Sequence, residues 1–165
     1  MIKLDSFNLV NYDDNFEYVK KELESGKSKS NFIHNVVERL QMSKNNSSLF
    51  NNAYIVLKNN EPIGYLYISG TTFDEVYIEY SILYNNRNNG YASLLLTEIS
   101  DFLFFNYNIR SIKLDISSSN KASINVALKS GFYIDDDELE KNDNIVKMIF
   151  IKDNLNYENK RKNKF

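Results

Sequence analysis

The hydrophobic pattern changes its period three times in the middle of the chain, and this restricts the fold more than any other sequence feature. Residues 75–83 alternate as a strand, and after Gly90 the apolar residues recur with the spacing of a four-turn amphipathic helix. Residues 112–116 alternate as the next strand, and Asn120 begins a shorter helix that Gly131 ends. Two strands joined by a helix within one sheet must be parallel.

Shorter periodic segments flank this region. They predict a strand over 1–10, helices from Asp13 or Asp14 to Gly26 and from Ser30 to Leu40, strands over 53–57 and 63–68, and strands over 132–134 and 145–151. Asn59 and Asn60 fit a tight turn within an antiparallel meander. The order βααβββαβαββ predicts an α+β (mixed α/β) domain over 1-152, with a mostly antiparallel sheet of six to seven strands, a parallel central pair and helices on both faces. Residues 153-165 are expected to form a polar, basic tail.

Composition limits the chemistry that this domain can perform. The 165 residues suit one domain, and the chain has no cysteine and one histidine, His34. Disulfides, thiolate nucleophiles and thiolate-bound zinc are excluded, and we expect no metal site. The formal net charge of -2 argues against general nucleic-acid binding. No apolar stretch approaches about 18 residues, so we expect no signal peptide or membrane span and a cytoplasmic protein.

The turn that precedes the long helix is a candidate anion site. A helix N-terminus exposes unpaired N–H groups and about half a positive charge, which can hold a phosphate or pyrophosphate. Gly90 permits close approach of the backbone, and the small Ala92 keeps the first turn open. An ordinary helix start has the same pattern, so this segment alone leaves both interpretations open.

Two motifs resemble the GCN5-related N-acetyltransferase (GNAT) superfamily. Arg87-Asn88-Asn89-Gly90-Tyr91-Ala92 matches its acetyl-coenzyme A loop, Arg/Gln-x-x-Gly-x-Gly/Ala, in the expected place. Asn120 and Ser123, followed by Gly131-Phe132, are similar to the Asn-x-x-Ser and Gly-Phe segment of the branch that contains the ribosomal-protein N-terminal acetyltransferases. The resemblance covers residues 75 to 135, whereas residues 1 to 52 match in element order only.

This resemblance implies that the parallel pair splays apart and that the pantetheine arm of acetyl-CoA lies in the opening. The backbone of Ile82, Leu83 and Tyr84 would pair with that arm and hold the thioester carbonyl. The residues implied to hold the pyrophosphate are Arg87, Asn88, Asn89, Gly90, Tyr91 and Ala92. Asn120 would contact the cofactor, cap the helix that follows, or do both. Many family members have Gly-Lys where this chain has Asn88-Asn89, so one cation is missing, although asparagine suits left-handed backbone angles.

The resemblance also points to catalytic residues. Many members place a tyrosine in the last helix to protonate the leaving thiolate, and this chain has Ala127 there. Ser123 stands where the ribosomal branch has a substitute serine, but it also suits an ordinary first helical turn. Glu79 is the candidate general base, with a solvated cross-strand role as the alternative. Tyr80 is a candidate for positioning the substrate or a base water, with a core role as the alternative.

The predicted function is transfer of the acetyl group of acetyl-CoA to a primary amine of a peptide or protein N-terminus or a small molecule. Transfer is direct, in a ternary complex, because no cysteine can carry an acyl group. An acidic segment either attracts a cationic acceptor or is a solvated hairpin loop; it contains Asp135, Asp136, Asp137, Glu138 and Glu140. Strand edges and Phe104-Phe105 permit a homodimer. The alternative functions are a catalytically silent acetyl-CoA-binding sensor or scaffold, and an anion-binding module unrelated to acetyl transfer.

Overall fold

The computed structural model describes residues 1–26, 30–72, 74–135, 140–142 and 145–157. These residues form two compact units. The first comprises Met1–Ser69 and Glu79–Leu95, and the second comprises Gly70–Ile78 and the described residues from Leu96 onward.

The first unit is built around antiparallel strands and two helices. Its elements are β1 (Ile2–Lys3), β2 (Asn8–Val10), α1 (Phe16–Ser25), α2 (Ser30–Ser43), β3 (Asn52–Lys58), β4 (Glu61–Gly70), the end of β5 (Glu75–Ile82), a 3₁₀ turn over Tyr84–Asn86 and the start of α3 (Tyr91–Tyr107). Strands β1 to β4 are neighbours in chain order, and each pairs antiparallel with the next. Asn59 and Asn60 have φ values of 52° and 66°, which confirms the predicted turn between β3 and β4.

Two predictions for the beginning of the chain are wrong. The expected single strand over 1–10 is a hairpin in which Ile2 pairs with Leu9, because the polar residues Asp5 and Ser6 favour a turn in its middle. The N-cap of α1 is Asn15 and not an aspartate. Asp13 instead accepts a hydrogen bond from the N–H of Asn15 at 2.9 Å.

The core of the first unit follows the helical spacing in the sequence. Residues three and four apart on α1 and α2 lie on one face and bury it against β3 and β4. The buried side chains of this cluster are Phe16, Val19, Leu23, Val36, Leu40, Ala53, Ile55, Leu57, Tyr65 and Leu83.

The second unit contains the parallel pair that the sequence predicts. Its elements are the start of β5, the rest of α3, β6 (Ser111–Ser117), α4 (Lys121–Lys129), β7 (Tyr133–Ile134), β8 (Glu140–Asn142) and β9 (Ile145–Asp153). Strand β5 pairs parallel with β6, with Glu75 opposite Ser111 and Tyr77 opposite Lys113. Strand β9 pairs antiparallel with β6, β7 and β8.

The predicted fold class is confirmed: the protein is mixed α/β, mostly antiparallel, with one parallel strand pair in the described part of the chain. That part contains nine strands instead of six or seven. The additional strands arise because the first predicted strand is a hairpin and because β8 forms a second hairpin with β9.

The expected tail begins with anchored residues. The hydroxyl of Tyr157, which is buried, donates to Oδ2 of Asp74 at 2.6 Å. Nδ2 of Asn154 donates to the carbonyl of Ile109 at 2.9 Å. Residues 158–165 lie outside the described part of the chain, and the domain boundary at residue 152 stays a prediction.

Candidate functional site

The segment between β5 and α3, which lies in the first unit, is a hydrogen-bonded turn. Nδ2 of Asn89 donates to the carbonyl oxygens of Asn86 and Arg87 at 3.1 and 3.0 Å. Asn88 and Gly90 have positive φ values of 63° and 74°. Asparagine and glycine adopt this conformation at lower cost than other residues. The expectation that asparagine suits this turn is therefore confirmed at Asn88.

The start of α3 has the geometry of an anion site. The N–H of Leu94 donates to the carbonyl of Gly90 at 3.1 Å and closes the first helical turn. The N–H groups of Tyr91 and Ala92 precede this bond and point along the helix axis. A Cβ atom built on Gly90 would have no atom within 4 Å, so this side of the turn is open. Open space beside helix-terminal N–H groups fits a phosphate group.

Arg87 is tied to the turn that it begins. Its Nε donates to the carbonyl of Ile82 at 3.0 Å, and its Cζ lies 5.7 Å from the ring centroid of Tyr84. The side chain therefore connects the end of β5 to the turn before α3. Its role as a phosphate ligand stays a prediction.

The main chain at the end of β5 bears on the prediction for the pantetheine arm. The N–H of Leu83 donates to the carbonyl of Ile63 at 2.9 Å, and the Leu83 carbonyl accepts from the N–H of Asn86 at 2.9 Å. Both polar main-chain groups of Leu83 are thus used within the first unit. Neighbouring residues of an extended chain direct their N–H groups to opposite sides. The pairing of Ile82, Leu83 and Tyr84 with the pantetheine arm stays a prediction.

Gly64 is a part of this region that the sequence analysis missed. A Cβ atom at Gly64 would lie 2.5 Å from the carbonyl oxygen of Ser81 and 3.2 Å from Cδ1 of Ile82. Only glycine allows the two backbones to approach this closely. The signal in the sequence is a lone glycine inside a strand pattern, which often marks such an approach.

Glu79, the predicted general base, forms an ion pair with an arginine of α2. Nη1 of Arg39, on α2, donates to Oε1 of Glu79 at 2.7 Å, and the Arg39 guanidinium lies 4.2 Å from the ring centroid of Tyr67. The Glu79 side chain keeps 41% of its surface exposed. The sequence analysis missed Arg39, whose position three residues after the buried Val36 places it beside the apolar face of α2.

A buried tyrosine completes this cluster. Nη1 of Arg39 also lies 3.4 Å from the hydroxyl of Tyr65, which is fully buried. Burial raises the pKa of Tyr65, and the charge of Glu79 raises it further. Burial lowers the pKa of Arg39, but the hydrogen bond with Tyr65 and the charge of Glu79 outweigh this and raise it overall. The cluster therefore holds a neutral phenol, a guanidinium and a carboxylate.

Tyr80, the other candidate on β5, is differently placed from Glu79. Tyr80 is half-buried and, as the next residue of β5, points to the opposite face of the strand from Glu79. The structure thus does not bring these two predicted catalytic side chains together on one face. His34 lies on α2 and is exposed.

A cavity of about 200 Å³ borders the turn in the first unit. Its walls come from the end of α1 and from the 3₁₀ turn, and its lining residues are Glu22, Ser25, Gly26, Tyr84 and Asn85. Nδ2 of Asn85 donates to Oε2 of Glu22 at 3.2 Å. The Tyr84 side chain, at 55% exposure, offers a ring surface to solvent. A carboxylate beside an exposed aromatic ring suits an ammonium group.

The second unit contains Asn120 and Ser123. Oδ1 of Asn120 accepts a hydrogen bond from the N–H of Ser123 at 3.2 Å, which confirms that Asn120 caps α4. Ser123 is half-buried in the first turn of α4, and Ala127 is fully buried one turn later. The cofactor contact of Asn120 and the catalytic role of Ser123 stay predictions.

The structure bears only partly on the expectations for the acidic segment, a metal site, a membrane span and a homodimer. Of the acidic segment, Asp136, Asp137 and Glu138 and the side chain of Glu140 lie outside the described residues. Within the described ranges, no group of three or more histidine, cysteine, aspartate or glutamate residues could hold a metal ion. In the same part of the chain, no helix is long and apolar enough to cross a membrane. Phe105 on α3 is 78% exposed, and the homodimer stays a prediction.

Comparison with known proteins gives a family match. A model described as the acetyltransferase (GNAT) family matches residues 14–132, which is most of the chain and includes the turn before α3. Comparison with curated proteins found no matching sequence.

Solved structures with the same fold include acetyltransferases with bound ligands. The microcin self-immunity acetyltransferase MccE, in complex with acetyl-CoA and AMP, gives a TM-score of 0.70 at 16% identity, covering 90% of this chain and 93% of that chain. Spermidine N-acetyltransferase from Vibrio cholerae, in complex with CoA and spermine, gives a TM-score of 0.66 at 12% identity, covering 92% of this chain and 98% of that chain. The Salmonella typhimurium acetyltransferase that modifies the N-terminal serine of a 50S ribosomal subunit protein gives a TM-score of 0.69 at 16% identity, covering 90% of this chain and 95% of that chain. At these identities the likeness shows the fold alone.

Proposed function

The chain belongs to the acetyltransferase (GNAT) family, and from this premise we propose that it transfers the acetyl group of acetyl-CoA directly to a primary amine of a peptide N-terminus or a small molecule. The turn before α3 carries this proposal. The motif Arg-x-x-Gly-x-Ala of the family lies on a turn with positive φ at Asn88 and Gly90, and its glycine faces open space. These features suit the pyrophosphate of acetyl-CoA.

The donor half of the site uses main-chain groups. The N–H groups of Tyr91 and Ala92 would hold the pyrophosphate, and the N–H of Ile82 or Tyr84 would donate to the thioester carbonyl. Negative charge develops on that carbonyl oxygen when an amine attacks it. A donor already oriented by the end of β5 stabilises this charge without reorganisation.

The acceptor half needs a base, because an alkylamine arrives as an ammonium ion. We assign this role to Glu79, acting directly or through one water molecule. Glu79 takes the ammonium proton and passes it to solvent, and the free amine nitrogen forms a bond to the acetyl carbon. The nitrogen then gives its second proton to Glu79 and the carbon–sulfur bond breaks, which leaves an amide and a thiolate. The Ser123 hydroxyl would then donate a hydrogen bond to the leaving thiolate. The thiolate finally takes up a proton from solvent.

The cavity beside Tyr84 supports an amine acceptor. Its Glu22 carboxylate attracts an ammonium ion, and Tyr84, whose ring already lies 5.7 Å from the Arg87 guanidinium, adjoins the proposed thioester position. One structural neighbour is a spermidine N-acetyltransferase and another modifies an N-terminal serine, so amines of both sizes are reasonable first candidates.

The decisive experiment is a thiol-release assay with acetyl-CoA and a panel of peptide N-termini, polyamines, amino acids and aminoglycosides. Because the chain has no cysteine, it adds no background to a thiol reagent. We expect acetyl-CoA to raise Tm and at least one amine to release CoA. Tight acetyl-CoA binding without turnover of any amine would favour the silent sensor or scaffold. Absence of acetyl-CoA binding would reject the proposal.

A further inference from the structure

We infer that Lys58 binds a phosphate group of the acetyl donor, although it lies outside the loop motif. This inference rests on the proposed function, because it assigns one more residue to the same donor site. Lys58 is the last residue of β3 and lies 29 positions before the turn at Arg87, so nothing in the motif points to it.

The Lys58 ammonium is held on an aromatic platform at the start of α3. Its Nζ lies 5.4 Å from the ring centroid of Tyr91 and 5.2 Å from that of Phe7. The two rings pack edge to face, with centroids 6.3 Å apart and an interplanar angle of 81°. Phe7 is buried and Tyr91 half-buried, so the platform belongs to the packed part of the first unit.

The direction of the Tyr91 side chain places this cation at the anion-binding end of the helix. Side chains of an α-helix lean toward its N-terminus. Tyr91 is the first residue of α3, so its ring lies on the side to which the helix-terminal N–H groups point. A cation over that ring is within reach of a phosphate at those N–H groups, because the lysine side chain is long and flexible.

The turn before α3 carries less positive charge than is needed to balance a pyrophosphate. Residues 88–92 contain no charged side chain, and the Nε of Arg87 is hydrogen-bonded to the carbonyl of Ile82. A helix N-terminus supplies only about half a positive charge, which is less than the charge of a pyrophosphate. Glu61, the register partner of Lys58, is exposed, so its carboxylate is solvated and screened by salt. Lys58 therefore adds a second positive charge to that of Arg87 beside this turn.

Calorimetric titration of CoA into the wild type, K58M and K44M tests the inference. Methionine keeps an apolar stem over the rings and removes the charge. Lys44 is a matched control in the same unit, because its Nζ lies 5.2 Å from the ring centroid of Tyr12 and it does not contact Tyr91 in the described contacts. We expect K58M to raise the Kd for CoA about tenfold at low salt, and less at high salt. K44M should stay within twofold of the wild type.

A second ligand identifies the phosphate. If K58M weakens CoA but not 3′-dephospho-CoA, Lys58 binds the 3′-phosphate; if it weakens both equally, Lys58 binds the pyrophosphate. A K58M Kd within twofold of the wild type, or an equal loss in K44M, would overturn the inference while leaving the proposed function standing. A wild-type chain that fails to bind CoA would reject both. K58R keeps the positive charge and should bind CoA with a Kd within about threefold of the wild type. If Lys58 acted only through its apolar stem, K58M would keep that stem and would not weaken CoA binding.

Discussion

The guanidinium of Arg39 and the carboxylate of Glu79 are hydrogen-bonded at 2.7 Å although they lie 40 residues apart in the sequence. Arg39 in turn packs on the Tyr67 ring, which restricts where its guanidinium can lie. The Glu79 carboxylate is therefore oriented from one side, while 41% of its side chain stays exposed. An oriented and accessible carboxylate suits a base that meets its substrate from solvent.

Replacing Glu79 with glutamine should lower kcat about 100-fold, because the variant keeps the shape and loses the proton acceptor. The half-exposed ion pair contributes little to folding, so Tm and the Kd for CoA should change little. Steady-state kinetics with the best amine of the panel, beside a CoA titration, checks both statements. A kcat equal to that of the wild type would show that another group takes the proton.

Gly90 and Gly131 offer a matched pair of alanine substitutions. Their φ values are 74° and 85°, so G90A and G131A should each lose about 1–2 kcal/mol of unfolding free energy. Only Gly90 faces the open side of the turn before α3, and only G90A should raise the Kd for CoA, about tenfold. Denaturant unfolding and CoA titration measure the two effects. Equal CoA affinities in the two variants would place the phosphate elsewhere.

Ser123 can be tested without disturbing the cap of α4, because Asn120 accepts from the Ser123 main-chain N–H and not from its hydroxyl. S123A should therefore keep its Tm. We expect kcat to fall about tenfold with an unchanged KM for acetyl-CoA, since the hydroxyl acts only on the developing thiolate. S123T retains a hydroxyl and should recover most of kcat. Full activity in S123A would show that the Ser123 hydroxyl does not stabilise the leaving thiolate.

Gly64 should tolerate no side chain. In G64A the new methyl group would lie 2.5 Å from a main-chain oxygen of Ser81, so the backbone must move, at a cost of about 1–3 kcal/mol. The shift would reach Ile82 and reduce kcat/KM as well. G26A is the control, because its Cβ would have ordinary contacts at 3.5 Å, and its stability should stay within about 0.5 kcal/mol. A G64A protein as stable as G26A would contradict this account.

Local chemistry explains which elements could be read from the sequence. The turn at Asn59-Asn60, the cap at Asn120 and the left-handed positions 88 and 90 all depend on residues within a few positions of one another. The family resemblance found in the loop motif is confirmed by a family match over residues 14–132. The prediction of a single first strand was wrong because β1 and β2, of two and three residues, are stable only when a partner strand pairs with them.

For the same reason, the sequence predicted only part of the candidate site. The sequence pointed to the turn at Gly90 and to Glu79. It did not show that Leu83 uses its N–H on Ile63, that Arg39 holds Glu79, or that Lys58 lies over the ring of Tyr91. Each of these contacts joins residues at least 20 positions apart, and no local pattern encodes such a distance.

The sequence by itself determined the family, the order of the main elements, the absence of thiol chemistry and the mid-chain change of hydrophobic period that requires a parallel pair. These properties follow from residue type and from spacing along the chain. Only the tertiary structure decided which main-chain groups of Leu83 are hydrogen-bonded, which cation pairs with Glu79 and which glycine permits close strand approach. They depend on packing and hydrogen bonds between distant segments, which arise when the chain folds.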